Sequence, residues 1–121
     1  MEYVALIHAD QSVWETMTDA ERGAAYEQYG EFADAARDAG VLVGGEELAS
    51  TASATTVRVR DEQRLVTDGP YAEVKEALGG FFILDCPSFD DALDWAARIP
   101  GAHHGSVEVR PVYVDPEEVQ L

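Results

Sequence analysis

Two short segments of the chain are apolar at consecutive positions, and they set the terms for any fold it can adopt. Residues 2–8 (Glu-Tyr-Val-Ala-Leu-Ile-His) and residues 80–85 (Gly-Phe-Phe-Ile-Leu-Asp) both read as strands. Side chains alternate across a sheet, so Val4 and Leu6 point one way while Ala5 and Ile7 point the other. Phe81 and Ile83 likewise oppose Phe82 and Leu84. A sheet built on such strands must be covered on both faces.

The rest of the chain supplies cover for one face. Thr18-Asp-Ala-Glu21 is a capping box. The helix it opens carries Ala25, Tyr29, Phe32, Ala36 and Ala39 as a single apolar stripe and ends at Gly40. Glu27, Glu31, Asp34 and Asp38 are expected on its solvated side. Ser88 caps a second helix, whose Asp90, Asp91 and Asp94 suit the positive end of the helix dipole and whose stop is Pro100-Gly101. Residues 41–44 read as a short strand, and residues 46–53 as a loop. Residues 55–60 and 65–67 make a hairpin turning at 61–64, and residues 106–114 form a last strand with Val107, Val109 and Tyr113 on one face. Asp68-Gly-Pro70 punctuates the chain, and residues 71–78 are predicted as a short helix stopped by Gly79-Gly80. The tail from Asp115 is expected to be loosely held.

The predicted order is the ferredoxin-like β-α-β-β-α-β plan of the α+β class, with a hairpin insertion and two helices on one face. The second face needs other cover. One source is the same face of a second copy, giving a homodimeric α+β barrel, since most oligomers are symmetric. The other is the hairpin folding over its own sheet.

Composition narrows the function classes. The 121 residues suit one domain, taken as 1–121, and a 46% hydrophobic content is that of a folding chain. The net charge of −16 repels phosphate backbones and anionic lipid, so neither nucleic acid nor membrane is an expected partner. The longest apolar run is far short of the roughly 20 residues a bilayer needs. The start lacks the basic region and cleavage site of a signal peptide. The lone Cys86 forms no intrachain disulfide and reads as a packed thiol, in keeping with a soluble cytoplasmic protein.

Four stretches resemble a known family, the YCII-related proteins of DGPF type. They are residues 3–7, residues 40–46 (Gly-Val-Leu-Val-Gly-Gly-Glu), residues 66–76 (Val-Thr-Asp-Gly-Pro-Tyr-Ala-Glu-Val-Lys-Glu) with Gly79-Gly-Phe81, and residues 105–111. The most specific part is the segment from Asp68 to Phe81. Tyr71 stands where the motif has phenylalanine, His8 where members often carry an aromatic residue, and Val74 where threonine is more usual. The resemblance implies a ferredoxin-like dimer. Some YCII-like proteins look like small-molecule enzymes using acid–base chemistry, and related domains attached to transcription sigma factors imply ligand sensing. Fold and family together do not fix a reaction.

Several residues could carry chemistry, each with a plainer reading beside it. Asp68, before a tight Gly-Pro turn, is the leading general-base candidate, or it accepts hydrogen bonds from its own turn. His8 could pair with Asp10 as a second catalytic group, or serve as a core or interface histidine. Tyr71 and Lys75 would share a helical face and hold an anionic oxygen, or pack and pair with nearby glutamates. Arg110 alternates with Glu108 on the last strand and could border a pocket or an interface. Phe81, Phe82 and Trp95 could form an apolar wall. Half of the basic residues lie between Arg58 and Lys75, which points to a carboxylate-bearing ligand or to internal charge pairing. His103 and His104 point oppositely in an extended chain, so no metal site is expected. No glycine-rich phosphate loop is present, and no cofactor is expected. These features lead to a small-molecule-binding protein, catalytic by cofactor-free isomerase- or lyase-type chemistry or acting as a non-catalytic sensor.

Overall fold

The central strand, β1 (Glu2–Ala9), buries Tyr3, Ala5 and Ile7 and leaves Val4, Leu6 and His8 half-buried, as strict alternation requires. In the computed structural model, which describes residues 1–119, it is followed by α1 (Gln11–Thr16), α2 (Asp19–Asp38), β2 (Leu42–Glu47), β3 (Thr55–Arg60) and β4 (Gln63–Asp68). Then come β5 (Ala77–Asp85), α3 (Phe89–Ala96), β6 (Ser106–Pro111) and one last helical turn, α4 (Pro116–Val119). Four strands form one sheet in the order β2-β5-β1-β6, with every neighbouring pair antiparallel. With the short helices and the β3–β4 hairpin set aside, this is the ferredoxin-like topology. The tail expected to be loose forms α4 as far as Val119, and its last residues, Gln120 and Leu121, lie outside the described residues.

Helix α2 starts where its capping box dictates. The Glu21 amide donates to the Thr18 hydroxyl at 3.1 Å, and the Thr18 amide donates to the Glu21 carboxylate at 3.0 Å. It stops where Gly40 takes a φ of 72°, which frees the Val41 amide to bond the Ala36 carbonyl at 2.9 Å. Its buried residues, Phe32 and Ala36, pack with Ala92 and Ala96 of α3 onto Tyr3, Ala5 and Leu84. Alanines at these contacts let both helices sit close to the sheet. Leu84 and Ile99 are fully buried, and each such side chain contributes about 1.5–3 kcal/mol of hydrophobic stabilisation. Cys86 is buried as expected, and burial pushes its thiol pKa up.

The opposite face of the sheet is uncovered in the single chain. Val4 sits opposite Ile83 and Leu6 opposite Phe81, all four half-buried. The hairpin does not fold over them. It forms its own two-stranded sheet, with Val57, Val59, Leu65 and Val66 exposed. No helix among the described residues is long and apolar enough to cross a membrane.

Three local expectations are corrected. Residues 71–78 form no helix: the chain runs through bends, and Ala77 already pairs with Ala9 in β5. Pairing of its end with β1 outweighs the helical propensity of this segment. Gly79-Gly80 is therefore not a helix stop but part of the strand, with a register shift opposite Ile7 and His8. The last strand ends at Pro111, and Tyr113 lies beyond it, 83% exposed rather than on the face of Val107 and Val109.

Candidate functional site

Glycine sets the floor of the main cavity. A Cβ on Gly45 would lie 2.8 Å from the Phe82 ring, and one on Gly80 would lie 2.8 Å from the carbonyl oxygen of Glu46. β2 and β5 can approach this closely only because both positions are bare. Above this floor, on the helix-covered side, α1 and the first half of α2 enclose a cavity of about 490 Å³. Trp14, Tyr26, Tyr29 and Phe82 form its aromatic wall. Trp14 and Tyr26 meet edge to face at 5.3 Å, and Tyr29 stacks on Phe82 at 6.4 Å.

Helix α1 owes its place to side-chain hydrogen bonds, since it has no buried residue. Asp10 caps it, accepting from the Ser12 amide at 3.0 Å and the Ser12 hydroxyl at 2.7 Å. These bonds hold the Asp10 carboxyl below its usual pKa. Arg22 reaches back from α2 to the carbonyls of Trp14 (3.1 Å) and Glu15 (2.9 Å). The Gln11 side-chain oxygen accepts from the Thr51 amide at 3.1 Å and its hydroxyl at 2.9 Å, tying α1 to the loop after β2. Across the cavity Tyr26 donates to Glu47 at 3.0 Å, and that bond raises the phenol pKa. Tyr29 is raised as well, mainly by burial. Asp10, Glu15, Glu46 and Glu47 all border the space, and among the described residues no lysine, arginine or histidine does.

Of the residues singled out from the sequence, Asp10, Phe81 and Phe82 border this cavity, Phe81 from a position whose side chain alternates to the open face, and the others do not. Asp68 is exposed at the end of β4, at the base of the hairpin, where it faces Thr55. Tyr71 is 82% exposed, and Lys75 is exposed in the same non-helical segment, so no helical face brings them together. His8 pairs with Glu108 at 3.2 Å on the uncovered face of the sheet, while Asp10 is engaged by Ser12. Arg110, opposite Val4 on that same face, forms no ion pair with Glu108 among the described residues. Trp95 packs on Phe32 and lies 4.3 Å beneath the Arg98 guanidinium, away from the cavity.

The sequence reading missed Trp14, Gln11 and Glu47. Asp10 with Ser12 two residues on is a helix-cap signal that could have revealed α1. Tyr26 lies one helical turn before Tyr29, a spacing that places both on one side of α2.

The comparisons with known proteins agree with this fold. The family model for the YCII-related domain matches residues 1–115. This chain belongs to the YCII-related family. A relative from Rhizobium meliloti (strain 1021), described only as an uncharacterized protein, is 36% identical over 114 residues, spanning 93% of this chain and 92% of its own length. The YCII-related domain thus accounts for the sheet, its helices and the hairpin together.

Proposed function

We propose that this YCII-related chain is a small-molecule-binding protein whose ligand occupies the aromatic cavity under α1. The observation that carries this reading is the cavity itself. It holds about 490 Å³ between two helices and the sheet, within the range of roughly 300–1,000 Å³ usual for ligand pockets. Its aromatic wall with a few polar groups is the usual makeup of such sites. The geometry favours binding or sensing over turnover at this place, because Asp68, Tyr71 and Lys75 stand outside it.

A thermal-shift screen of small aromatic compounds tests the reading, since a ligand of the native state raises the melting temperature. Trp95→Phe leaves Trp14 as the sole tryptophan, so each hit should also change the fluorescence of that variant. Trp14→Ala should abolish the shift. Hits that survive in Trp14→Ala, or leave Trp14 emission untouched, place the ligand elsewhere and sink the proposal.

A second reading rests on the His8–Glu108 pair at 3.2 Å on the apolar open face. In a homodimer packed through that face, the pair would be enclosed, and an enclosed imidazole–carboxylate pair can move a proton without a cofactor. Val4, Leu6, Phe81 and Ile83 form the apolar centre that such a second copy would cover.

A further inference from the structure

The charge around the cavity chooses among ligands. Resting on the binding reading above, we propose that the cavity takes a compact aromatic or apolar amine, held as a cation. Four carboxylates border it, and no basic side chain does so among the described residues. Two of the four have bonds to other groups. Asp10 is engaged by Ser12, and one oxygen of Glu47 accepts from Tyr26. Glu15 and Glu46 take no side-chain hydrogen bond or ion pair among the described residues, so their charges are not neutralised within the chain.

Of the nearby cations, Arg22 is committed elsewhere and Lys75 stays outside the lining. Arg22 lies 6.0 Å from the centre of the Trp14 ring and is fixed by the carbonyls of Trp14 and Glu15 and by Asp19. Lys75 is close enough to lower the Asp10 pKa yet does not line the space. An ammonium group entering here meets the lining carboxylates and the rings of Trp14 and Tyr26, and both groups attract it. A carboxylate would meet uncompensated like charge. The basic run from Arg58 to Lys75, which pointed to an acidic ligand, lies on the hairpin and the segment after it rather than at the cavity.

The test compares three probes that share a phenylethyl group and differ in its polar end: 2-phenylethylamine, 3-phenylpropanamide and 3-phenylpropanoate. Binding is followed by calorimetry and by Trp14 emission in Trp95→Phe at physiological salt, where charges more than about 8 Å apart are largely screened. The amine is expected to bind roughly tenfold tighter than the amide, with the acid weakest. Glu15→Gln with Glu46→Gln, the two carboxylates that no side chain engages, should bring the amine down to the amide while leaving the amide unchanged. Asp34→Asn with Asp90→Asn removes two charges far from the cavity and should leave the preference intact. Equal binding of all three probes, or equal loss in the distal double variant, overturns the amine assignment while the binding reading stands. If none of the three perturbs Trp14, the amine assignment fails with the cavity as a site for such compounds.

Discussion

At Glu21 the side-chain carboxylate accepts from the Thr18 amide, while the Glu21 backbone amide donates to the Thr18 hydroxyl. The bond from the Thr18 backbone lowers its pKa, with the Thr18 side chain next. A carboxyl whose pKa is lower folded than unfolded stabilises the fold fully above its unfolded value and loses that contribution as pH falls through the folded one. Glu21→Gln keeps the shape but cannot titrate. Its urea midpoint should therefore decline less than that of the parent as pH drops from roughly 5 towards 3. Parallel decline in both proteins would show that the ionised cap adds nothing. This cap was legible in the sequence because Thr and Glu three apart form a local device that needs no tertiary partner. Trp14 was not legible as a cavity wall. Its role depends on Arg22, Gln11 and a loop some forty residues away, and nothing in the local pattern encodes them.

Among the elements, the hairpin stands apart from the rest. Its turn residues, Asp61 and Glu62, both have positive φ, 51° and 65°. Such a two-residue turn fits the twist of the strands but favours an Asn-Gly pair, because other side chains crowd the backbone there. The double substitution Asp61→Asn with Glu62→Gly is expected to raise amide-exchange protection across β3 and β4 by about fivefold, equivalent to about 1 kcal/mol. Protection in β1 and β5 should not change, since the apolar residues of the hairpin are exposed rather than packed on the sheet. An equal rise in β1 and β5 would mean that hairpin and body open together. The alternation in residues 55–60 made this element readable from the sequence. The segment 71–78 was misread because its length and composition suit a helix, whereas its end is claimed by pairing of Ala77 and Leu78 with β1. Only the whole sheet decides that contest.

For the whole molecule, the question is what covers Val4, Leu6, Phe81 and Ile83. The two doubly apolar strands already required an answer at the level of sequence, and the exposed hairpin removes one of the two candidates. A face-to-face homodimer would need to bury about 1,200–2,000 Å² to be stable. Sedimentation equilibrium at micromolar concentration is expected to give the mass of two chains. Ile83→Glu should give one, with an unchanged circular dichroism spectrum. A parent protein that sediments as a single chain would rule out the dimer and, with it, the enclosed His8–Glu108 pair.

The antiparallel register carries one more consequence, for synthesis on the ribosome. β1 emerges well before its neighbours, which are β5, from Ala77 onward, and β6, from Ser106 onward. At about 5–20 residues per second, the nascent strand waits several seconds with neither edge paired. During that interval α2, capped by its own residues, is the part able to form alone. An early truncation in this protein should therefore leave a helix beside an orphaned, aggregation-prone ribbon rather than a smaller version of the domain.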